Sequence, residues 1–573
     1  MSTPEAGDEA RRAAEEAARA AADAERVAAE ARARADALAQ AASAQQQADA
    51  AAPTEPGAGE PAAATSLSAD AETIAAGYAF DGPALQIGAL VEGDPLPAVQ
   101  VRIPLGMLNR HGLVAGATGT GKTKTLQVLA EQVAANGVPV FAADVKGDLS
   151  GIATPGTAND KLLERCRSIG QEWTATATPT EFFTLGGLGT GVPVRATVES
   201  FGPVLLAKVL GLNATQESSL GLVFHHARET DRRLVDLADL RAVLTWLTSD
   251  GKAELKALGG ISTATAGVIL RELVAFSDQG ADVFFGLPEI DPADFLRTAP
   301  DGRGIVSLLE VPSVQDKPAV FSTFLMYLLT RLFRDLPEVG DVDKPRLVFF
   351  FDEAHLLFRD ASKDFLELVT QTVRLIRSKG VGIFFVTQTP EDVPGDVLAQ
   401  LGSRVQHQLR AHTPADAKAL RATVSTYPTS GYDLEQVLTQ LSIGEAIVTV
   451  MNEKGAPTPV AWTRVRAPQG SMDPTPAAAM QAAVQASPLL AKYGTAVDPP
   501  SAAEDLEAVR QAAAAQAEAT AQAEQAAAQK PRTGRAPRSR GGTRRQSTLD
   551  RAVGEASRTI ARELVKNLFR RRR

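Results

Sequence analysis

The chain has 573 residues and a formal net charge of −9, from 59 Lys and Arg against 68 Asp and Glu, so taken whole it is not a polycation built to coat nucleic acid. Its single cysteine, Cys166, excludes an internal disulfide framework. The N-terminus lacks the basic-then-apolar pattern of a signal peptide, and no stretch reaches the ~18 apolar residues of a spanning helix, which sets the expectation of a cytoplasmic protein with no transmembrane segment.

From Glu9 to Ala51 the sequence is alanine interspersed with Arg and Glu, good helix formers with i,i+4 pairs such as Glu15 with Arg19, and this predicts a long solvated helix. Leu38 is the only leucine before Pro53, so a tight coiled coil has little to pack. Pro53 to Pro61 reads as a linker, and residues 1–75 as a helical, low-complexity extension.

Residues 76–466 alternate apolar runs with helical patterns, the signature of a mostly parallel sheet covered by helices. Strands are expected at Gly112–Ala115, Val138–Ala143, Gly304–Val311, Leu347–Phe351, Gly382–Thr387, Val405–Leu409 and Ala446–Val450. Such continuous apolar runs suit strands buried on both faces. About 160 residues separate the second from the third, too many for one crossover. They are helical in pattern from Pro203 to Leu247 and from Thr263 to Ser277, which predicts a helical insert over about residues 155–300.

Residues 467–530 turn to Ala, Pro and Gln with a helix expected over Ala502–Gln529, and 531–573 form a basic tail. The tail holds 14 Lys and Arg against 3 Asp and Glu, or +11, which leaves −20 for the rest of the chain. It ends in a predicted amphipathic helix from Thr548, with Val553, Ala556, Ile560, Leu564 and Leu568 on one face and Arg551, Arg558, Arg562 and Lys566 around the others. A basic tail on an acidic body points to an anionic partner: nucleic acid, an anionic lipid surface or an acidic protein.

The chemistry is concentrated in two places. Gly116, Ala117, Thr118, Gly119, Thr120, Gly121, Lys122 and Thr123 form a phosphate-binding loop between an apolar strand and a helical pattern, the context this motif requires. Its glycines let backbone N–H groups curl around phosphates, Lys122 reaches the β and γ oxygens, the Thr123 hydroxyl ligates magnesium, and Lys124 completes the expected nucleotide-binding set. The strand Leu347–Phe351 ends in Asp352 and Glu353, at the carboxyl edge where open parallel sheets bind ligands. Asp352 is the second expected magnesium ligand and Glu353 the carboxylate that polarises the attacking water. Together they predict Mg-dependent ATP hydrolysis.

Other polar residues fall at the same edge. Gln388 follows the next strand, beside the expected γ-phosphate, and Asp144-Val-Lys-Gly-Asp-Leu-Ser-Gly151 follows the second strand, as a coupling loop or as a plain Asx turn. Phosphoryl transfer also calls for a positive charge beyond the loop; Arg374, Arg377, Arg404 and Arg410 are candidates, with Arg410 favoured. His355, His407 and His412 lack metal-ligand spacing.

These motifs, with Arg110-His-Gly before the loop, Val373 to Gly382, Gln400 to Arg410 and Leu212 to Glu217 within the insert, resemble the bacterial HerA-like ATPases, relatives of the FtsK and type IV secretion motors. The resemblance covers about residues 77–466. It implies a RecA-like additional-strand core, a homo-hexameric ring with ATP between subunits, a sensing glutamine at Gln388, an arginine offered across the interface at Arg410, and duplex DNA as substrate. Only Tyr78 to Pro104 precedes the loop strand, where HerA helicases carry an N-terminal β-barrel, which leaves processive helicase action open. The other class of function is an ATP-dependent assembly protein whose extensions bind partners.

Overall fold

The computed structural model describes residues 67–528, apart from 258, 312–317, 341 and 359–362. The expected helix over 9–51 and the tail helix from Thr548 lie outside the described residues. Twelve strands form one sheet in the order β2-β1-β12-β11-β10-β3-β9-β8-β4-β7-β5-β6, where β1 is Ala84–Glu92, β2 Asp94–Pro104, β3 Gly112–Ala115, β4 Val140–Asp144, β5 Thr180–Leu185, β6 Val192–Val194, β7 Val306–Glu310, β8 Leu347–Phe351, β9 Val381–Thr387, β10 Ser403–Gln406, β11 Glu445–Thr449 and β12 Ala461–Val465.

From β10 to β6 every neighbouring pair is parallel, and from β10 to β2 every pair is antiparallel. All residues of β3, β8 and β9 are buried, because helices cover both faces of a parallel sheet. Aromatic rings bind its centre: Phe349 stacks on Phe351 at 5.8 Å, Phe351 on Phe385 at 5.5 Å, and Phe141 lies 4.9 Å from Phe349. The fold is α/β with a mostly parallel sheet. Strand β9 lies between β3 and β8, so one strand separates the loop strand from the acidic strand.

The helices used below are α1 Lys122–Ala135, α2 Ala214–Glu229, α3 Leu237–Thr248, α4 Thr263–Asp278, α5 Pro318–Asp335, α6 Lys363–Ile376 and α7 Ala502–Ala528. Capping boxes start two of them. Asn213 and Gln216 bond each other's backbone N–H at the head of α2, and Asp236 and Asp239 do so at α3. No described helix is long and apolar enough to cross a membrane.

Three differences from the sequence expectations have physical causes. The strand expected at Val405–Leu409 is Ser403–Gln406, because it pairs with the four residues of β3, Ser403 opposite Gly112 and Gln406 opposite Ala115, and leaves the sheet where β3 does. The insert is not helical throughout: β5 and β6 extend the sheet beyond β7, and α2, α3 and α4 pack on one another. The stretch after Ala467, which reads as a linker, runs back over the body. Ala467 N–H donates to Gln171 Oε1 at 2.9 Å, Gln469 and Gly470 N–H donate to the Glu131 carboxylate at 2.8 Å each, and Tyr493 and Leu506 are buried.

Candidate functional site

The loop after β3 is shaped by its neighbours as much as by its own glycines. Gly116 N–H donates to the Thr387 carbonyl at 3.2 Å and Ala117 N–H to the Gln408 carbonyl at 2.8 Å, so β9 and the segment just past β10 hold its first turn. Gly119 and Gly121 stand at φ 83° and 114°, in the region that costs glycine alone no strain. A Cβ on Gly116 would lie 2.5 Å from His407 Cβ. Thr118 and Gly119 are exposed at the rim, Thr120 is buried with its hydroxyl donating to Ala117 O at 2.8 Å, and Thr123 is half-buried in the first turn of α1.

Lys122 is buried and its ammonium donates to Gly116 O at 2.7 Å and Ala117 O at 3.2 Å. Burial pulls its pKa down, and the charge of Glu353 pulls it back up. Lys124 is half-buried and likewise lowered by burial.

Across β9 stands the acidic edge. Asp352 is buried, and burial followed by the charges of Glu353 and Asp144 pushes its carboxyl up to about 7. Glu353 is also buried and takes φ 48°, a conformation rare outside glycine. One of its oxygens, Oε1, is paired with the Lys146 ammonium. The other, Oε2, lies 3.2 Å from His355 Nδ1 without a hydrogen bond. Lys146 loses basicity to burial and more than regains it from Glu353.

Asp144 ends β4 and accepts N–H bonds from Gly147 at 2.7 Å and Leu149 at 2.8 Å. Carboxylate oxygens of Asp144, Asp148 and Asp352 lie within 4.8 Å of one another. Behind them Glu310, paired in register with Asp144, is pushed up to about 8 by burial and by the charges of Asp144 and Asp148. Asp148 Oδ1, Glu310 Oε1 and Glu353 Oε2 are buried without a hydrogen-bond partner. A lysine-bearing loop facing unsatisfied carboxylate oxygens is chemically matched to a magnesium-bearing polyphosphate: one side takes the anion, the other the cation.

The remaining candidates divide. Gln388 is exposed just past β9, between the loop and the acidic pair. Arg410 is exposed, and its Nη2 donates to the Thr118 carbonyl of its own loop at 3.3 Å. Arg404 bonds Thr426 and covers the Tyr427 ring at 6.0 Å, away from the loop. Arg374 is exposed on α6 and Arg377 is half-buried.

Sequence reasoning weighed His407 only as a metal ligand and missed its place at the loop. It is buried under the loop: Thr125 Oγ1 lies 2.9 Å from its Nε2, and its Nδ1 lies 2.8 Å from the Glu445 carbonyl. A carbonyl can only accept, so Nδ1 carries the proton and Nε2 accepts from Thr125. The signal lay in register, not spacing, since the residue after Gln406 must meet the residue after Ala115. Glu310 was missed for the same reason, since register with Asp144 brings it to the acidic edge, whereas Asp148 fell within the Asp144–Gly151 segment but was not singled out from it.

The sequence profile of the family described as "Helicase HerA-like C-terminal" matches residues 90–571. The DNA double-strand break repair helicase HerA of Saccharolobus solfataricus is 22% identical over 401 residues, covering 69% of this chain and 70% of that protein. HerA of Sulfolobus acidocaldarius is 22% identical over 376 residues, 64% and 67% of the two chains. A protein of Methanocaldococcus jannaschii bearing a helicase name is 30% identical over 150 residues, and the match spans 25% of this chain and 28% of that one. Among solved structures, the bacterial conjugative coupling protein TrwB has a TM-score of 0.45 at 16% identity, covering 71% of this chain and 94% of that chain. VirB4 of Thermoanaerobacter pseudethanolicus has 0.42 at 14%, covering 68% and 97%.

Proposed function

The chain belongs to the helicase HerA-like C-terminal family, a P-loop ATPase motor of the HerA/FtsK type, and from that premise we propose that it hydrolyses MgATP between copies of itself in a ring and uses the cycle to move duplex DNA. The observation that carries the reading is the convergence of the phosphate loop, Gln388 and the Asp352–Glu353 pair on the carboxyl ends of three adjacent strands, β3, β9 and β8.

In this reading the backbone N–H groups of Gly119 to Thr123 cradle the β and γ phosphates. Lys122 gives up its two loop carbonyls for phosphate oxygens. The Thr123 hydroxyl and the Asp352 carboxylate hold the magnesium ion, which when bound neutralises charge on the phosphates. Glu353 accepts a hydrogen bond from the attacking water and orients it toward the γ-phosphorus. Gln388 reads whether a γ-phosphate is present. Arg410 lies against its own chain's loop, so it is assigned to that same site, and the exposed Arg374 is the alternative for an arginine lent across an interface.

The test is steady-state hydrolysis with and without double- and single-stranded DNA at two salt concentrations, for the intact protein, Lys122→Ala and a chain ending at Gln529. Stimulation by duplex in the shortened chain supports a translocase. Hydrolysis that depends on Lys122 but ignores DNA in both forms turns the assignment to an ATP-dependent assembly protein. The charge balance favours that second reading, because a body of −20 offers duplex DNA few contacts outside a basic pore.

A further inference from the structure

Lys146 lies in the loop after β4, a residue type that the loop–acid chemistry above does not call for. Its ammonium is paired with Glu353 Oε1, and its side chain is 42% exposed against 6% for Glu353, so it reaches from the surface down to a buried carboxylate. The loop that carries it is tied from three sides. The Asp144 carboxylate takes the N–H groups of Gly147 and Leu149, Ser150 Oγ donates to Gly147 O at 3.0 Å, and Thr475 bonds Ser150 twice, N–H to Oγ at 3.1 Å and Oγ1 to the carbonyl at 2.6 Å.

Glu353 also needs holding. Its left-handed backbone survives only where the surroundings over-determine it. The backbone part is done by Ala354 N–H on the Val386 carbonyl and Leu356 N–H on the Glu353 carbonyl, both at 2.9 Å. At the side chain, Lys146 supplies the hydrogen bond, to Oε1, while His355 Nδ1 stands 3.2 Å from Oε2 without one. With Oε1 taken, Oε2 is the oxygen left buried and unbonded, on a carboxylate that shares its surroundings with Asp352, Asp144 and Asp148. A lysine bonded to one oxygen of a carboxylate restrains its rotation and leaves Oε2 as the oxygen that has no hydrogen bond of its own.

We infer that Lys146 is a positioning residue for hydrolysis, clamping Glu353 Oε1 so that Oε2 is presented to the attacking water. The inference rests on Glu353 being the water-orienting carboxylate. Its signature is a loss in turnover without a loss in binding, because the clamp acts on a group that does not touch the nucleotide in the ground state.

The experiment compares full-length protein with Lys146→Met, Lys146→Arg, Glu353→Gln and the double variant Lys146→Met/Glu353→Gln. It reads kcat and KM for MgATP and the equilibrium Kd of a fluorescent ATP analogue. Expected for Lys146→Met is a kcat at least about tenfold lower with KM and Kd within about twofold. Lys146→Arg should recover most of the rate, and the double variant should be no slower than Glu353→Gln alone. A kcat of Lys146→Met at or above wild type overturns the clamp and makes the ion pair a brake. A Kd that loosens as much as kcat falls overturns it too, by putting Lys146 on the nucleotide. Wild-type turnover in Glu353→Gln would instead remove Glu353 from the chemistry, a separate failure that the single variant reveals. Melting temperatures of the Lys146 variants, with Lys146→Gln as a second neutral side chain, verify that the half-exposed position leaves the fold intact.

Discussion

Two buried histidines and one buried glutamate set opposite pH slopes on stability. Burial holds His407 and His111 down at about 4, against an ordinary 6.5. A folded-state pKa below the unfolded one means that the unfolded chain takes up protons first as the solution is acidified. Their contribution is therefore complete above about pH 6.5 and is lost as pH falls toward 4, and replacing His407 by Gln should flatten the fall in melting temperature across that window. Glu310 has the opposite sign. Its pKa of about 8 stands above the ordinary carboxyl value of 4.5, so the folded state loses stability as pH rises through that interval. Glu310→Gln should raise the melting temperature at pH 8.5 by at least about 2 °C and change it little at pH 4.5. At the proposed active site, Asp352 must give up its proton to hold a cation. With its carboxyl raised to about 7, MgATP affinity should climb between pH 6 and 8, and calorimetry in buffers of different ionisation heat should detect the released proton. Glu353→Gln should keep nucleotide binding while losing about 10²-fold or more in kcat.

Among the elements, the segment after Ala467 changes what a truncation does. Its backbone satisfies Glu131 of α1, whose carboxyl is raised to about 6 by burial and restrained by those same N–H bonds. Its side chains Leu489, Tyr493 and Leu506 are buried, and Ser501 Oγ donates to Asp239 Oδ1 of α3 at 2.6 Å. Burying a large apolar side chain is worth about 1.5–3 kcal/mol. A chain ending at Arg466 should thus be strongly destabilised or insoluble, while one ending at Ala528 should melt with the intact protein. Sequence pattern could not anticipate this, since Ala, Pro and Gln look alike in a linker and in a strap whose anchors are backbone groups. It could anticipate β3, β8 and β9, whose unbroken apolar runs leave no other reading, and the loop and acid pair they deliver. Strand β12 alternates buried Ala461, Thr463 and Val465 with half-buried Trp462 and Arg464, and only two antiparallel neighbours make that a strand. Strand β2 was hidden by Pro95 and Pro97, which deter a strand assignment anywhere but at an edge. Lys146 and His407 act through partners 207 and 282 residues distant along the chain, contacts that local pattern does not encode.

For the whole molecule, the charge division is the property to test against function. If the +11 tail supplies the attraction to DNA, stimulation of hydrolysis should vanish in the shortened chain and weaken steeply between about 50 and 200 mM salt; if the pore supplies it, removal of the tail should leave the stimulation in place. Light scattering with a non-hydrolysable ATP analogue should separate a ring from a monomer. The sheet itself limits how such copies can meet. One rim is β6, three residues with Pro193 at the centre, beside which the helix Pro488–Tyr493 packs; the other is β2, which opens with Pro95 and Pro97. A proline has no N–H to offer a neighbour's strand. Among the described residues, the prolines at both rims make them poor templates for strand-by-strand growth, so a ring of the proposed kind would join its copies through side-chain surfaces, which can release and re-form with each turnover, and the prolines act against the sheet's seeding fibres.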